Sequence, residues 1–147
     1  TKKYQNLNLL IKLHPAESDN LYLDLIEKHH AKNVTIIKKE KSLYEVLASV
    51  SVAITCYSTV GLEALLFDIP LIVFDSKTID KSQYIKNKIA YHCKNTEDLI
   101  IYLEKISTNN LKIKEGSEKF IHKSFYKIDG KVSDRTIDFL NKIDQIE

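Results

Sequence analysis

Apolar residues form short unbroken runs along this chain, and the runs alternate with segments whose apolar residues recur at helical spacing. Runs at 8–13, 34–37, 52–55 and 71–74 predict four strands, and residues 90–92 predict a shorter fifth. Because the runs show little polar alternation, they are typical of parallel strands buried on both faces. Helical spacing between and after them predicts helices at 21–32, 43–50, 60–67, 96–106, 112–122 and 133–143.

The alternation of strand and helix predicts the fold class. We expect an α/β domain with a Rossmann-like parallel sheet of about five strands and helices on both faces. Ser42 followed three residues later by Glu45 predicts a capping box at the second helix, and Ser133 is expected to cap the last helix. The first and last helices are predicted to carry apolar stripes, formed by Leu21, Leu25 and Ile26 in one and by Ile137, Leu140 and Ile143 in the other.

Composition narrows the range of functions. The 147 residues fit one domain, and a net charge of +2 is too small to indicate nucleic-acid binding. Two cysteines give neither a disulfide framework nor zinc spacing, so we expect a reducing, cytoplasmic setting and no metal. No apolar run approaches the roughly 20 residues that span a bilayer.

The ends of the predicted strands supply the first candidate site residues, because parallel α/β sheets bind ligands beyond their carboxyl ends. His14 ends the first strand, and Pro15 stiffens the turn that follows. An imidazole there can donate to a phosphate oxygen. Lys12, two residues earlier, projects to the same face and can reinforce an anion site. The alternatives are a surface histidine and a solvated lysine.

Ser58 and Thr59 stand where the helix after the third strand begins. A helix start presents unpaired N–H groups and partial positive charge, which suit a phosphate. Plain N-capping is the alternative, because it uses the same N–H groups. Gly61, in the first turn, allows a ligand or a strand to approach closely.

Glu63 and Tyr57 complete this group. Glu63 is the one acidic residue in an otherwise apolar helix and lies four residues after Thr59, so both face one side. Its carboxylate could accept hydrogen bonds from ribose hydroxyls, or it could simply face solvent. Tyr57 could stack on a base, but we favour the interpretation that it plugs the edge of the sheet.

Three segments resemble a known family in the expected order. LLIKLHP at residues 9–15 resembles the His-Pro strand of GT-B glycosyltransferases, especially CDP-glycerol glycerophosphotransferases and capsular or surface-polysaccharide transferases. Residues 43–48, followed by 52–55 and 57–64, resemble their second motif, which has a strand, a Tyr-Ser-Ser/Thr turn and a helix with an acidic residue. DGKVSDR at residues 129–135 resembles the segment that opens their last helix.

The resemblance implies that residues 1–147 are a single donor-binding domain, half of a GT-B fold, from a two-domain protein whose N-terminal acceptor domain is missing. His14 would be catalytic, holding the donor phosphates with Ser58 and Thr59 and stabilising the leaving nucleotide. Glu63 would lie near the ribose or sugar. Ser133 and Arg135 are weaker candidates, with a helix cap and a surface salt bridge as the alternatives.

The implied function is donor binding for a glycosyltransferase or polyol-phosphate transferase in capsule or teichoic-acid biosynthesis. The donor would be a CDP-, CMP-, UDP- or GDP-linked sugar or polyol, with no separate cofactor. We expect the fragment alone to be inactive, and peripheral association of the full-length protein with the inner face of the cell membrane stays open. The family often has Asp at the position of Cys56 and usually has Gly at the position of Asp68. These two departures leave the donor type open.

Two other functions remain. A domain like UDP-N-acetylglucosamine 2-epimerase would need a longer glycine-bearing turn at Ser58. A non-catalytic interaction domain predicts uncharged surroundings at His14. The transferase hypothesis predicts instead that His14, Ser58 and Thr59 converge on one phosphate.

Overall fold

The fold is that of a computed structural model, which describes residues 4–38, 41–74 and 83–143. All the predicted strands and helices are present, with ends that differ by a few residues from the predicted ones. The strands are β1 (Leu9–Lys12), β2 (Val34–Ile37), β3 (Ala53–Thr55), β4 (Leu71–Phe74) and β5 (Tyr91–Cys93). The helices are α1 (Asn20–Lys28), α2 (Leu43–Leu47), α3 (Val60–Leu66), α4 (Gln83–Lys86), α5 (Thr96–Ser107), α6 (Ser117–Ser124) and α7 (Val132–Ile143).

Every strand pairing is parallel, as predicted, but the strands form two sheets rather than one. β1 pairs with β2, and β3, β4 and β5 follow in that order in a second sheet. Within the described residues no ladder joins β1 to β3. β3 has only three residues, which offer few ladder bonds, and its Ile54 is 45% exposed. The predicted single sheet of about five strands is therefore wrong.

The larger sheet carries the core, and β4 lies at its centre. Leu71 and Val73 pack against α3 and α6 on one face. Ile72, between them in sequence, packs against α5 on the other face. All three side chains are at most 1% exposed, as expected for a parallel strand covered on both sides. Helices therefore lie on both faces of this sheet.

The capping box of α2 is confirmed. The Ser42 hydroxyl accepts from the Glu45 N–H at 3.2 Å, and the Glu45 carboxylate accepts from the Ser42 N–H at 2.7 Å. Leu47 of α2 then packs with Ala64 and Ile69. This cluster fixes α3 against α2, so the position of the turn that precedes α3 is set by buried contacts.

The apolar stripes of the first and last helices are mostly exposed. Leu21 and Leu25 of α1 are 66% and 45% exposed, and Ile137, Leu140 and Ile143 of α7 are between 46% and 56% exposed. Helical spacing predicts which side of a helix is apolar, but it does not supply a surface to cover that side. Among the described helices, none has the length and apolar character needed to cross a membrane.

Gly61 is buried in the first turn of α3, and the ring of Tyr84 occupies the space beside it. A Cβ built there would lie 2.9 Å from the Tyr84 Cζ and 3.0 Å from the Leu71 Cδ2. Moving the ring away would break two contacts, because its hydroxyl donates to the Ser58 carbonyl at 3.1 Å and the ring meets Phe120 in a T-shaped contact.

Replacing Gly61 with alanine should therefore destabilise the domain. Alanine normally gains about 1 kcal/mol over glycine inside a helix. Overpacking against Tyr84 should outweigh this by costing about 1–3 kcal/mol. Urea unfolding of Gly61→Ala in the wild-type and Tyr84→Ala backgrounds measures both effects. If Gly61→Ala is more stable than wild type while Tyr84 is present, the proposed overpacking is contradicted.

Candidate functional site

A cavity of about 300 Å³ opens beyond the carboxyl ends of β1 and β2. Sites for small molecules commonly begin at about this volume, and ligands of parallel α/β sheets bind at this edge. The cavity is lined by Lys12, Leu13, His14, Pro15, Glu17, Asp19 and Lys38.

His14 is held by a tight turn of four residues. The Glu17 N–H donates to the His14 carbonyl at 2.9 Å, and the His14 N–H donates to the Glu17 Oε2 at 2.8 Å. The Ala16 N–H donates to the His14 Nδ1 at 3.2 Å. A neutral imidazole that accepts at Nδ1 carries its proton on Nε2. His14 can therefore donate an Nε2–H hydrogen bond to an anion in the cavity.

Two lysines and a second carboxylate line the same cavity as this imidazole. Lys12, predicted on the same face as His14, lines the same cavity, and its Nζ donates to the Lys38 carbonyl at 3.0 Å. Lys38 pairs with Asp19 at 2.7 Å. The hydrogen bond from Lys38 lowers the pKa of Asp19, which keeps that carboxylate ionised. The cavity thus combines cationic groups with carboxylates that already have partners.

The turn before α3 forms where the sequence predicts it. The Ser58 hydroxyl accepts from the Val60 N–H at 3.2 Å, while the Ser58 N–H donates to the Thr55 hydroxyl at 3.3 Å. Thr59 directly precedes the helix, but its side chain makes no capping hydrogen bond. The Ser58 hydroxyl therefore accepts from one N–H group at the helix start, as a capping residue does, whereas the Thr59 hydroxyl caps none.

Glu63 and Tyr57 are the other candidate residues near this turn. Glu63 is only partly exposed, and its Oε2 is buried without a hydrogen-bond partner in the part of the chain that the structure describes. The idea of a fully solvent-facing glutamate is therefore wrong. Burial, with a smaller contribution from the charge of Glu63, raises the pKa of the nearby Tyr84. Tyr57 is 59% exposed, and the interpretation that it plugs the sheet edge stays a prediction.

The two groups of candidate residues lie at the ends of different sheets. The cavity at His14 is not lined by Ser58 or Thr59. A second cavity, of about 610 Å³, is lined by none of these residues and lies between α1 and the β1–β2 sheet. The convergence of His14, Ser58 and Thr59 on one phosphate therefore stays a prediction.

Ser133 and Arg135 lie in α7. The helix begins at Val132, so Ser133 is inside the helix and does not cap it, contrary to the prediction. Instead, Asp129 accepts from the Lys131 N–H at 3.0 Å just before the helix. Arg135 Nη1 donates to both carboxylate oxygens of Asp129, each at 2.8 Å. This is the surface salt bridge that was the alternative to a site role.

Asp129 should show this ion pair in its titration. The Arg135 hydrogen bond, followed by the Lys131 N–H, lowers the pKa of Asp129 below its ordinary 3.8. The pair therefore stabilises the folded chain above that pH and is lost as the pH falls through the lowered pKa. Carboxyl ¹³C NMR should show an upward shift of this pKa in Arg135→Gln and none in Lys142→Gln, at the other end of α7. An Asp129 that titrates at its ordinary value in wild type would contradict the pairing.

Three residues of the His14 cavity were not predicted: Glu17, Asp19 and Lys38. Lys38 directly follows the second strand. Its position was therefore indicated by the preference of parallel α/β sheets to bind ligands beyond the carboxyl ends of their strands. Glu17 carried a weaker signal, as an acid three residues after a histidine at the start of a turn. Among the described residues, no three His, Cys, Asp or Glu side chains are grouped to hold a metal ion.

A family model described as CDP-glycerol:poly(glycerophosphate) glycerophosphotransferase matches residues 1–142. The chain belongs to this family. The match spans nearly the whole chain and includes all three motif segments, so the resemblance to these glycerophosphotransferases is confirmed. The members of this family are transferases, so the family match indicates a transferase. No curated protein and no solved structure matches the chain significantly.

Proposed function

We propose that this chain is the donor-binding half of a glycerophosphotransferase that uses a nucleotide-activated donor to build a cell-surface polymer. The observation that carries the proposal is the cavity at the end of β1, where the His14 imidazole and the Lys12 ammonium line one small space. Both residues were predicted as phosphate ligands from their place on the strand. The family description favours a CDP-linked polyol over CMP-, UDP- or GDP-linked donors.

The chemistry needs stabilisation of negative charge. When glycerophosphate leaves CDP-glycerol, an acceptor hydroxyl oxygen bonds to the transferred phosphorus and gives its proton to a base or to water. The bond to the bridging oxygen breaks, and CMP departs with that electron pair. A donor aimed at the departing phosphate lowers the barrier most, because charge grows there in the transition state. The His14 Nε2–H fits this role, and Lys12 adds a positive charge to the same cavity.

The turn before α3 is proposed to hold the rest of the nucleotide. Ser58 and Thr59 offer hydroxyls to a phosphate, and the exposed Tyr57 offers a ring face to the base or sugar. A buried polar atom without a partner costs about 1–3 kcal/mol, and an atom of a charged group costs more. Glu63 would gain a partner by rotating towards ribose hydroxyls. Gly61 contributes indirectly, since its missing side chain admits Tyr84, which holds the Ser58 carbonyl.

The two other functions have less support. The family match is to a phosphotransferase and not to an epimerase, and the turn at Ser58 is not lengthened by glycine. An interaction domain predicts uncharged surroundings at His14, whereas Lys12, Glu17, Asp19 and Lys38 all line its cavity. In the proposed function the acceptor binds to a domain outside this chain, so we expect binding of the donor without turnover.

Nucleotide titration tests the proposal. CDP should bind more tightly than UDP or GDP, and the double variant His14→Ala, Ser58→Ala should weaken CDP binding by about tenfold or more, since hydrogen bonds to charged groups contribute about 1.5–3 kcal/mol. Lys12→Ala should weaken it as well. Isothermal titration calorimetry measures each affinity.

His122→Ala is the matched control, because His122 is an exposed histidine on α6 that does not line the His14 cavity. It should bind CDP as wild type does. Equal CDP affinity in wild type and in the double variant would reject the site assignment.

A further inference from the structure

Glu17 places a carboxylate in a cavity proposed to receive phosphates. Like charges at close range repel, so this acid is unfavourable for binding unless it has another task. Its contacts indicate one. Glu17 Oε2 lies 2.8 Å from the His14 N, and the Glu17 N lies 2.9 Å from the His14 carbonyl oxygen. The residue therefore closes the turn twice, once through its backbone and once through its side chain.

The closed turn controls the imidazole through Ala16. Pro15 has no N–H and a fixed φ, so Ala16 supplies the first amide after His14 that can donate. That amide lies 3.2 Å from the His14 Nδ1. Because the amide only donates, it stabilises a lone pair at Nδ1 and leaves the neutral imidazole proton on Nε2. Loosening the turn removes this preference.

We propose that Glu17 is a positioning residue, whose bond to the His14 N–H fixes the Nε2–H tautomer of the imidazole. The role of this tautomer in donor binding rests on the proposed function, whereas the tautomer itself does not. The negative charge of Glu17 is not needed for this task, because any side-chain oxygen at the same reach accepts from the His14 N–H. A direct role of Glu17 with substrate would instead require the charge or the acid itself.

The two roles separate when Glu17 is replaced by glutamine or by alanine. Glu17→Gln keeps an acceptor oxygen and should keep the tautomer, whereas Glu17→Ala removes it and should give a mixture of Nδ1–H and Nε2–H forms. Long-range ¹H–¹⁵N NMR of the imidazoles reports the tautomer directly at about pH 9, above the ordinary titration range of histidine. His14→Gln assigns the His14 signals among the five histidines.

Glu27→Ala is the matched control, because Glu27 is exposed on α1 and its carboxylate has no partner within the described residues. It should leave the His14 signals unchanged. Circular dichroism of each variant checks that the domain remains folded.

A wild-type His14 in the Nδ1–H form would overturn the proposal without any variant. So would a Glu17→Ala protein that keeps the wild-type tautomer, or a Glu17→Gln protein as disturbed as Glu17→Ala.

In CDP titrations Glu17→Ala should bind about three- to tenfold more weakly and Glu17→Gln at least as tightly as wild type, as expected for one lost hydrogen bond. If no variant or wild type binds CDP while the tautomer pattern holds, the proposed function fails and the positioning role stands.

Discussion

Burial of β4 on both faces is the constraint on which the rest of the larger sheet depends. Leu71 and Val73 must be covered by α3 and α6, and Ile72 by α5, so the flanking helices have little freedom. The same packing fixes where α3 begins. The turn at Ser58 is therefore presented at the sheet edge by a rigid core, and Tyr84 anchors it from the side through the space left by Gly61.

The smaller sheet is organised differently. β1 and β2 pair in register, but α1 buries none of its residues, and a wide cavity lies between that helix and the sheet. His14 is held by a local turn rather than by a core. Three backbone or side-chain hydrogen bonds within residues 14–17 set its orientation. The two parts of the candidate site thus differ in what supports them: packing around Ser58, and local hydrogen bonding around His14.

Local signals in the sequence predicted local structure well. The capping box at Ser42, the strand runs and the helix start after Ser58 depend on neighbours in the chain, and all are present. Predictions that needed a distant partner fared worse. Among the described residues the apolar stripe of α7 has no cover, and the strands form two sheets rather than the predicted one. Helical spacing shows that one face of a helix is apolar, but it cannot show which element packs against that face.

The site follows the same rule. His14 and Lys12, two residues apart at the end of β1, line one cavity as predicted, whereas the contacts of Glu17 with His14 and of Lys38 with Asp19 are seen only in the folded chain. The most direct test is to map CDP-glycerol binding by backbone amide chemical shifts. Saturable changes are expected at His14 and Glu17, together with changes at Ser58 and Thr59. Saturable binding that leaves both turns unchanged, for example at the apolar cavity beside α1, would contradict the proposed site.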